Sequence, residues 1–373
     1  MNEALEPRFG RLALELGARV LGGGDAPRLW LRPEALDQAG RDELARWATR
    51  GQRDSWSLTD RAALERAGAP TPAPQVRAAL EAFEAPPRPW RLMGILNATP
   101  DSFSDGGLHL DPEAAVTAGL RMGRAGAHWL DVGGESTRPG AEPVSVEEEL
   151  RRVLPVVRGL REAGWERVSI DTRRAPVAAA ALEAGATLVN DVGAGLDDPE
   201  MLGVVAQADC AYALMHRQGD PRDMQRAPRY EDTVAEVTEF LRRRATACLE
   251  AGIAAERLLV DPGIGFGKGL EHNLELLGRL AELRSLGLPL LVGPSRKSFI
   301  GHVTGTQDEG DWARRETADD PSDRLGGTAA ALTYCLAGGA EVLRVHDVPA
   351  MAEACAVAGA IGAHVPQPGP LSC

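Results

Sequence analysis

The segment Ala163-Gly164-Trp165-Glu166-Arg167-Val168-Ser169-Ile170-Asp171 carries the reading of the fold. A helical pattern ends on Ala-Gly, a short apolar strand follows, and the strand stops on an acid. Glycine just past the last turn of a helix takes up the left-handed conformation without a Cβ clash. The same unit recurs along the chain. Ala125-Gly126 leads into a strand over 128–132, Ala184-Gly185 into 188–191, Ala251-Gly252 into 258–261 and Gly338-Gly339 into 342–347. Residues 212–216 and 288–292 read as strands without a glycine lead-in, and the apolar run 92–96 opens the series.

That makes eight strands, with helical patterns between them, for example over 146–160 and 230–251. Continuous apolar strands alternating with helices imply parallel strands buried on both faces. Eight βα units over about 260 residues predict an α/β fold of the (β/α)8 TIM-barrel kind. The alternative, an open doubly wound sheet, usually carries a Gly-rich phosphate turn after its first strand, and none is present.

Polar residues gather at the C-terminal strand ends, the face on which such barrels build their sites. In order they are Asn97, Asp131, Asp171, Asn190, His216, Asp261, Ser295-Arg296-Lys297, Arg344 and His346. Asp131 and Asp191 suit tying down a loop equally well, and His216 suits a core position equally well. Asp171, Asn190 and Asp261 suit a small flat heterocycle. Buried carboxylates need partners, and an amidine-like edge of an aminopyrimidine or pterin offers paired N–H donors. Lys297 would donate to a ring carbonyl. Arg344 and His346, two apart on a strand, face one side and with Asn97 suit a phosphate or pyrophosphate. Asn97 also offers an oxygen to Mg²⁺, which often binds through substrate phosphates.

Two long loops follow strands: 94–107, ending Asp101-Ser102-Phe103-Ser104-Asp105-Gly106-Gly107, and 133–140, Gly-Gly-Glu-Ser-Thr-Arg-Pro-Gly. Ordinary βα connections need only about 2–6 residues, so both read as functional loops. The second is rich in flexible glycine, in the manner of a lid. Residues 263–268, Gly-Ile-Gly-Phe-Gly-Lys, look like a phosphate loop but fail the spacing: the first Walker glycine would fall on Pro262, and Gly269 follows Lys268 where Ser or Thr is needed. Phe266 in that loop is placed to cover a flat substrate or to plug the barrel rim.

The 373 residues carry 41 Lys and Arg against 54 Asp and Glu, a net charge of −13, which argues against nucleic-acid binding. Five cysteines without a CxxC pair argue against a disulfide framework. No apolar run approaches the roughly 20 residues that span a bilayer, and there is no signal-peptide pattern, so the expected compartment is the cytoplasm, with no membrane partner. Residues 1–90 differ from the rest, with Trp30, Trp47 and Trp56, Gly22-Gly23-Gly24, short helical patterns over 41–49 and 75–84, and proline clusters around the latter. They read as a mostly helical N-terminal extension on Pro-rich connectors. The barrel is expected over 91–362 and a flexible tail over 363–373.

Seven segments together resemble the dihydropteroate synthase family: 94–107, 130–140 (LDVGGESTRPG), 169–172 (SIDT), 189–192 (VNDV), 261–268 (DPGIGFGK), 293–301 (GPSRKSFIG) and 344–348 (RVHDV). The resemblance implies a TIM barrel, Mg²⁺, a homodimer, and displacement of pyrophosphate from 6-hydroxymethyl-7,8-dihydropterin diphosphate by p-aminobenzoate to give dihydropteroate. It implies that Asp171, Asn190, Met215, Asp261, Lys297 and Arg344 hold the pterin. It further implies that Asn97, Arg344 and His346 meet the pyrophosphate, with Asn97 on the metal, and that Thr137, Arg138, Pro139, Phe266 and Ser298 form the p-aminobenzoate pocket. Asn97, Arg138, Asp171, Lys297, Arg344 and His346 are the catalytic set on this reading. The first loop has no inserted residue, so sulfonamide sensitivity is expected. The extension and an acidic stretch over 304–321 depart from the family pattern. Rival readings are a pterin-binding corrinoid methyltransferase domain, which should lack the STRPG, SRKS and RVHD segments, and a catalytically silent pterin-binding paralogue.

Overall fold

The structure is a computed structural model. It describes residues 19–21, 28–30, 49–50, 56–57, 90–98, 111–135, 144–219, 224–225, 228–304 and 324–362. Eight parallel strands form one sheet: β1 (Arg91–Asn97), β2 (Trp129–Gly133), β3 (Val168–Asp171), β4 (Leu188–Asp191), β5 (Ala211–Met215), β6 (Leu258–Asp261), β7 (Leu291–Val292) and β8 (Val342–Val345). Their neighbour order is β6-β5-β4-β3-β2-β1-β8-β7. A parallel bridge between Val260 and Leu290 joins the two ends, and the Val260 N–H donates to the Pro289 carbonyl at 2.9 Å. The expected TIM barrel is therefore present.

Around it lie α1 (Pro112–Arg124), α2 (Val146–Glu162), α3 (Ala175–Glu183), α4 (Met201–Gln207), α5 (Thr233–Glu250), α6 (Leu270–Gly278), α7 (Ser298–Val303), α8 (Leu325–Ala337) and α9 (Val348–Gly362). The helix expected over 230–251 begins at Thr233 because the Asp232 carboxylate caps it, accepting from Ala235 N–H at 2.9 Å. All five anticipated lead-in glycines have positive φ: Gly126, Gly164, Gly185, Gly252 and Gly339. In each, the residue after the glycine donates back five residues into the helix, as Ala127 does to Met122 and Ile253 to Cys248, closing a Schellman motif.

Two expectations need correction. The strand predicted over 288–292 shortens to Leu291–Val292, because Pro289 has no N–H to give a ladder. That strand also has a glycine lead-in after all: Gly287, at φ 67°, ends the 3-10 helix Leu280–Leu286. In the N-terminal region, residues 19–21, 28–30, 49–50 and 56–57 are strands, and the rest of residues 1–89 lie outside those described. Arg19–Leu21 pairs antiparallel with Arg28–Trp30, and Thr49–Arg50 with Trp56–Ser57. Thr49, the last residue of the helix predicted over 41–49, is thus a strand residue. The rest of that helix, the one over 75–84, the acidic stretch beyond Thr304 and the C-terminal tail lie outside the described residues.

Side chains alternate across each strand. Leu92, Leu96, Leu130, Val132, Ile170, Val189, Tyr212, Leu214, Val260, Leu343 and Val345 pack outward into the large core beneath the helices. Met93, Leu188, Ala213, Leu259, Leu291 and Val342 fill the barrel interior as a separate apolar layer, with Trp129 and Ala211 against it. Two residues further along most of these strands come Asp131, Asn190, Met215, Asp261 and Arg344. The alternation that fills the barrel floor with hydrocarbon therefore puts the site directly above it.

Candidate functional site

Above the apolar layer, Arg344 from β8 is held between two acids. Its Nε donates to Asp131 Oδ2 and its Nη2 to Asp171 Oδ2, both at 2.6 Å. Asn190 Nδ2 donates to the same Asp131 oxygen at 3.0 Å. Asp131 is fully buried and Asp171 nearly so. Asp131 Oδ1, Asp171 Oδ1 and Ser169 Oγ are buried without a hydrogen-bond partner. Unsatisfied buried acceptors are costly and rare, and three together in a barrel mouth are fitted to an incoming molecule that brings N–H donors.

Burial and the neighbouring negative charges of Asp131, Glu149 and Asp191 push the Asp171 carboxyl up to about 7, against the pull of the Arg344 guanidinium. Asp261 rises to about 6, again by burial, against the opposing pull of a hydrogen bond from Gly263 N–H to Oδ1 at 2.7 Å and of the cations Lys297 and Arg344. Burial and the cations Arg344, Arg296 and Lys297 lower His346 to about 3, so it is neutral at physiological pH. Ser295 Oγ already accepts from the His346 backbone N–H at 3.2 Å and lies 3.1 Å from His346 Nδ1. The hydroxyl thus holds Nδ1 in place in either tautomer and leaves Nε2 for another partner.

A second wall is apolar. Val192, Met215, Met224 and Phe266 form a small buried cluster, and Lys297 Nζ sits 4.1 Å above the Phe266 ring. Ser298, buried, opens α7 beside Lys297. Asn97 ends β1, half-buried, in register with Gly133. Thus Asn97, Asp171, Asn190, Met215, Asp261, Lys297, Arg344 and His346 all come to the C-terminal end of the barrel, with Phe266 and Ser298 beside them. Thr137, Arg138, Pro139 and the first loop after Ala98 lie outside the described residues.

Two alternatives left open by the sequence resolve to the structural role, and one expectation changes. His216 does not join the site. The alternation that turns Met215 inward turns His216 away, where its ring meets Phe240 edge-on at 4.8 Å and bonds Lys268. Asp191 faces the same outer side and ties a turn, accepting from Gly193 N–H, Gly195 N–H and Tyr212 O–H at 2.6–2.7 Å. The glycines Gly133 and Gly134 are not free hinges. A Cβ on Gly134 would lie 2.8 Å from Val153 Cγ1, and Arg152 Nη1 donates to the Gly134 carbonyl at 2.9 Å. The next residue, Glu135, pairs with Arg173 and Arg174, whose partners extend to Asp197 and Glu149.

Asp131 was left open by the sequence and Ser169 was missed. Both share the strand parity of Asp171 and Asn190, and that was the signal available. No group of three or more His, Cys, Asp or Glu side chains among the described residues is arranged to hold a metal. That donor chemistry does not fit a protein-built cage. It does fit an ion that arrives on substrate phosphates and takes a single amide oxygen, such as that of Asn97.

Fold and site together define a (β/α)8 barrel whose mouth sets unpartnered buried acceptors above an apolar floor, with cationic and neutral side chains along one side. The pterin binding enzyme family matches residues 93–346. Dihydropteroate synthase of Synechocystis sp. is 46% identical over 270 residues, 72% of this chain and 89% of that protein. Among solved structures, Xanthomonas albilineans dihydropteroate synthase with 4-aminobenzoic acid superposes with a TM-score of 0.67 at 47% identity, covering 74% of this chain and 94% of that one. The same enzyme in complex with 7,8-dihydropteroate gives 0.64 at 44%, covering 74% and 95%. The Yersinia pestis enzyme with a sulfonamide drug complex gives 0.67 at 42%, also covering 74% and 95%. This chain belongs to the pterin-binding enzymes and, within them, to the dihydropteroate synthases, which are transferases.

Proposed function

We infer that this chain joins p-aminobenzoate to 6-hydroxymethyl-7,8-dihydropterin diphosphate, releasing pyrophosphate and forming 7,8-dihydropteroate for folate synthesis. The observation that carries this reading is the set of unpartnered acceptors on Asp131, Asp171 and Ser169 beside Asn190, above an apolar floor and next to Arg344 and His346. The ring edge of a dihydropterin carries the matching N–H donors, and its diphosphate then reaches Arg344, His346 and Asn97.

In this assignment Asp171, Asn190 and Asp261 hold the ring, Lys297 donates to its carbonyl, and Met215 packs against it. Arg344 reaches the pyrophosphate with the donors its two carboxylates leave free, and neutral His346 meets it through Nε2. Asn97 would hold Mg²⁺ carried on the diphosphate, which when bound supplies Lewis-acid stabilisation of the leaving group. Loss of pyrophosphate leaves positive charge on the pterin methylene. Preplaced carboxylates at Asp171 and Asp131 stabilise it without reorganising. The arylamine is neutral and nucleophilic, so it attacks without a strong base. Thr137, Arg138, Pro139, Phe266 and Ser298 form its pocket, and the two loops exclude the water that would otherwise capture the cation.

The protein works in the cytoplasm as a homodimer, with residues 1–90 as an appendage to a barrel spanning 91–362. Among the described residues, no helix is long and apolar enough to cross a membrane. Pyrophosphate release tests the reading. It should require the dihydropterin diphosphate, p-aminobenzoate and Mg²⁺ together, and a sulfonamide should compete with p-aminobenzoate. Release without the amine, or none at all with the pterin still bound, would refute it.

A further inference from the structure

Lys268 ends the glycine-rich loop after β6, and nothing in the reaction above uses it. It is completely buried. An ammonium in such a place is costly unless each of its donors is met. Here they are met. Nζ lies 2.8 Å from His216 Nδ1, 3.2 Å from the His216 carbonyl and 2.9 Å from the Phe266 carbonyl. These three contacts tie the end of β5 to the loop that carries Phe266.

The loop is laid on that strand end with no slack. Gly263 and Gly267 have φ of 70° and 64°, and a Cβ on either would overlap the carbonyl oxygen of His216 or of Gln218. Phe266 N–H closes a turn onto the Gly263 carbonyl at 3.0 Å. Tyr230 O–H donates to the Gly267 carbonyl at 2.8 Å and Gly265 N–H to Asn273 Oδ1 at 2.7 Å, so the loop's flanks have their own anchors. The Phe266 carbonyl, by contrast, is held by Lys268. The ring of Phe266 in turn packs with Met215 and Val192 and lies under Lys297 Nζ.

We propose that Lys268 is a positioning residue for the amine-substrate half of the site, acting through Phe266. It pins the Phe266 backbone so that the ring forms the wall on which the arylamine packs and over which Lys297 rests. The acids proposed to grip the pterin are set by β2, β3 and β6; none hydrogen-bonds Lys268, and only through space does Asp261 feel its charge. This rests on the synthase reading above.

The test is Lys268→Met, which keeps the length and removes the donors. We expect the KM for p-aminobenzoate to rise at least tenfold and the Kd for the dihydropterin diphosphate, by calorimetry, to change less than threefold. Because the effect runs through one ring, Lys268→Met combined with Phe266→Ala should be no worse than Phe266→Ala alone. Lys268→Gln retains two N–H donors and serves if the methionine variant does not fold, with an expected rise of about threefold in the same KM. A wild-type KM in either folded variant, additive losses in the double variant, or an equal loss of pterin affinity would overturn the proposal. Wild-type turnover is measured first, and its absence would count against the synthase reading instead. In that case a fluorine label on residue 266 still reports: its NMR shift must move in Lys268→Met, and an unmoved shift refutes the positioning role.

Discussion

Asp131 and Asp171 each take one donor of Arg344, the residue proposed to meet the pyrophosphate. The guanidinium is therefore fixed before any ligand arrives, and the other Asp171 oxygen, Oδ1, is buried without a partner, which suits the proposed ring contact. Asp261 lacks an Arg partner and is held by one backbone N–H. Asp261→Asn replaces a charged acceptor by a mixed amide and should weaken pterin binding by about 1–3 kcal/mol, roughly 5- to 150-fold. Calorimetric affinity equal to wild type would remove Asp261 from the ring's partners. The raised carboxyls also set a pH dependence. Asp171 near 7 and Asp261 near 6 lose their charge as pH falls, and the ring needs that charge, so kcat/KM for the pterin should fall on the acid side below about pH 7. Asp171→Asn should shift that limb down and shorten it by one ionisation, and a limb unchanged by this substitution would place its origin elsewhere. The stability effect has the opposite sign. A carboxyl raised on folding stabilises below its unfolded value, near 4, and loses that contribution as pH rises through its folded value. Between about pH 4 and 7 these two groups thus weaken the empty fold while strengthening the ligand's grip.

Glycine works at the scale of the element, in two different ways. At Gly126, Gly164, Gly185, Gly252 and Gly339 it ends a helix. At Gly263 it lets the loop after β6 lie against a carbonyl that Lys268 already holds. Gly263→Ala combines a left-handed φ with overlap on fixed backbone and should cost at least about 2 kcal/mol, a fall in melting temperature of roughly 5 °C or more. Gly203 in α4 has open space around it and helical φ, so Gly203→Ala should leave the melting temperature unchanged or raise it. If both substitutions behave alike, the packing argument for Gly263 fails. The first kind of glycine was legible in the sequence because a Schellman end is local, and it delivered the strand count and the barrel. The strand-end acids were legible for the same reason. Inside and outside were less so. Strict alternation separates Met215 from His216 and Asn190 from Asp191, but short strands give only two or three residues to establish the phase. Lys268 was illegible, since its acceptors come from residues 216 and 266 and meet only in the folded chain. The loop at Glu135 is similar. Its glycines suggested a hinge, whereas packing against Val153 and pairing with Arg173 and Arg174 make its root firm.

For the whole molecule, the candidate site sits on one end of the barrel, and the proposed assembly would use its side. Leu325 and Tyr334 on α8 and Val357 and Ile361 on α9 are exposed apolar side chains on two helices that pack against each other. Scattered apolar residues are ordinary on a surface, but a group on adjacent helices marks a contact face. The homodimer proposed above would use this face, which leaves the mouth of each barrel open to substrate. Tyr334 is two-thirds exposed, so a charge there costs the monomer little. In a self-complementary twofold interface the same substitution appears on both sides and counts twice. Tyr334→Glu should therefore convert the dimer to monomer in analytical ultracentrifugation at micromolar concentration, while circular dichroism and pterin affinity stay as in the wild type. Each site is built from one chain's strand ends, so the monomer should keep pyrophosphate release within a few fold. A Tyr334→Glu protein that sediments as a dimer would move the interface to another face, and one that is monomeric but inactive would mean that the partner subunit contributes to the site.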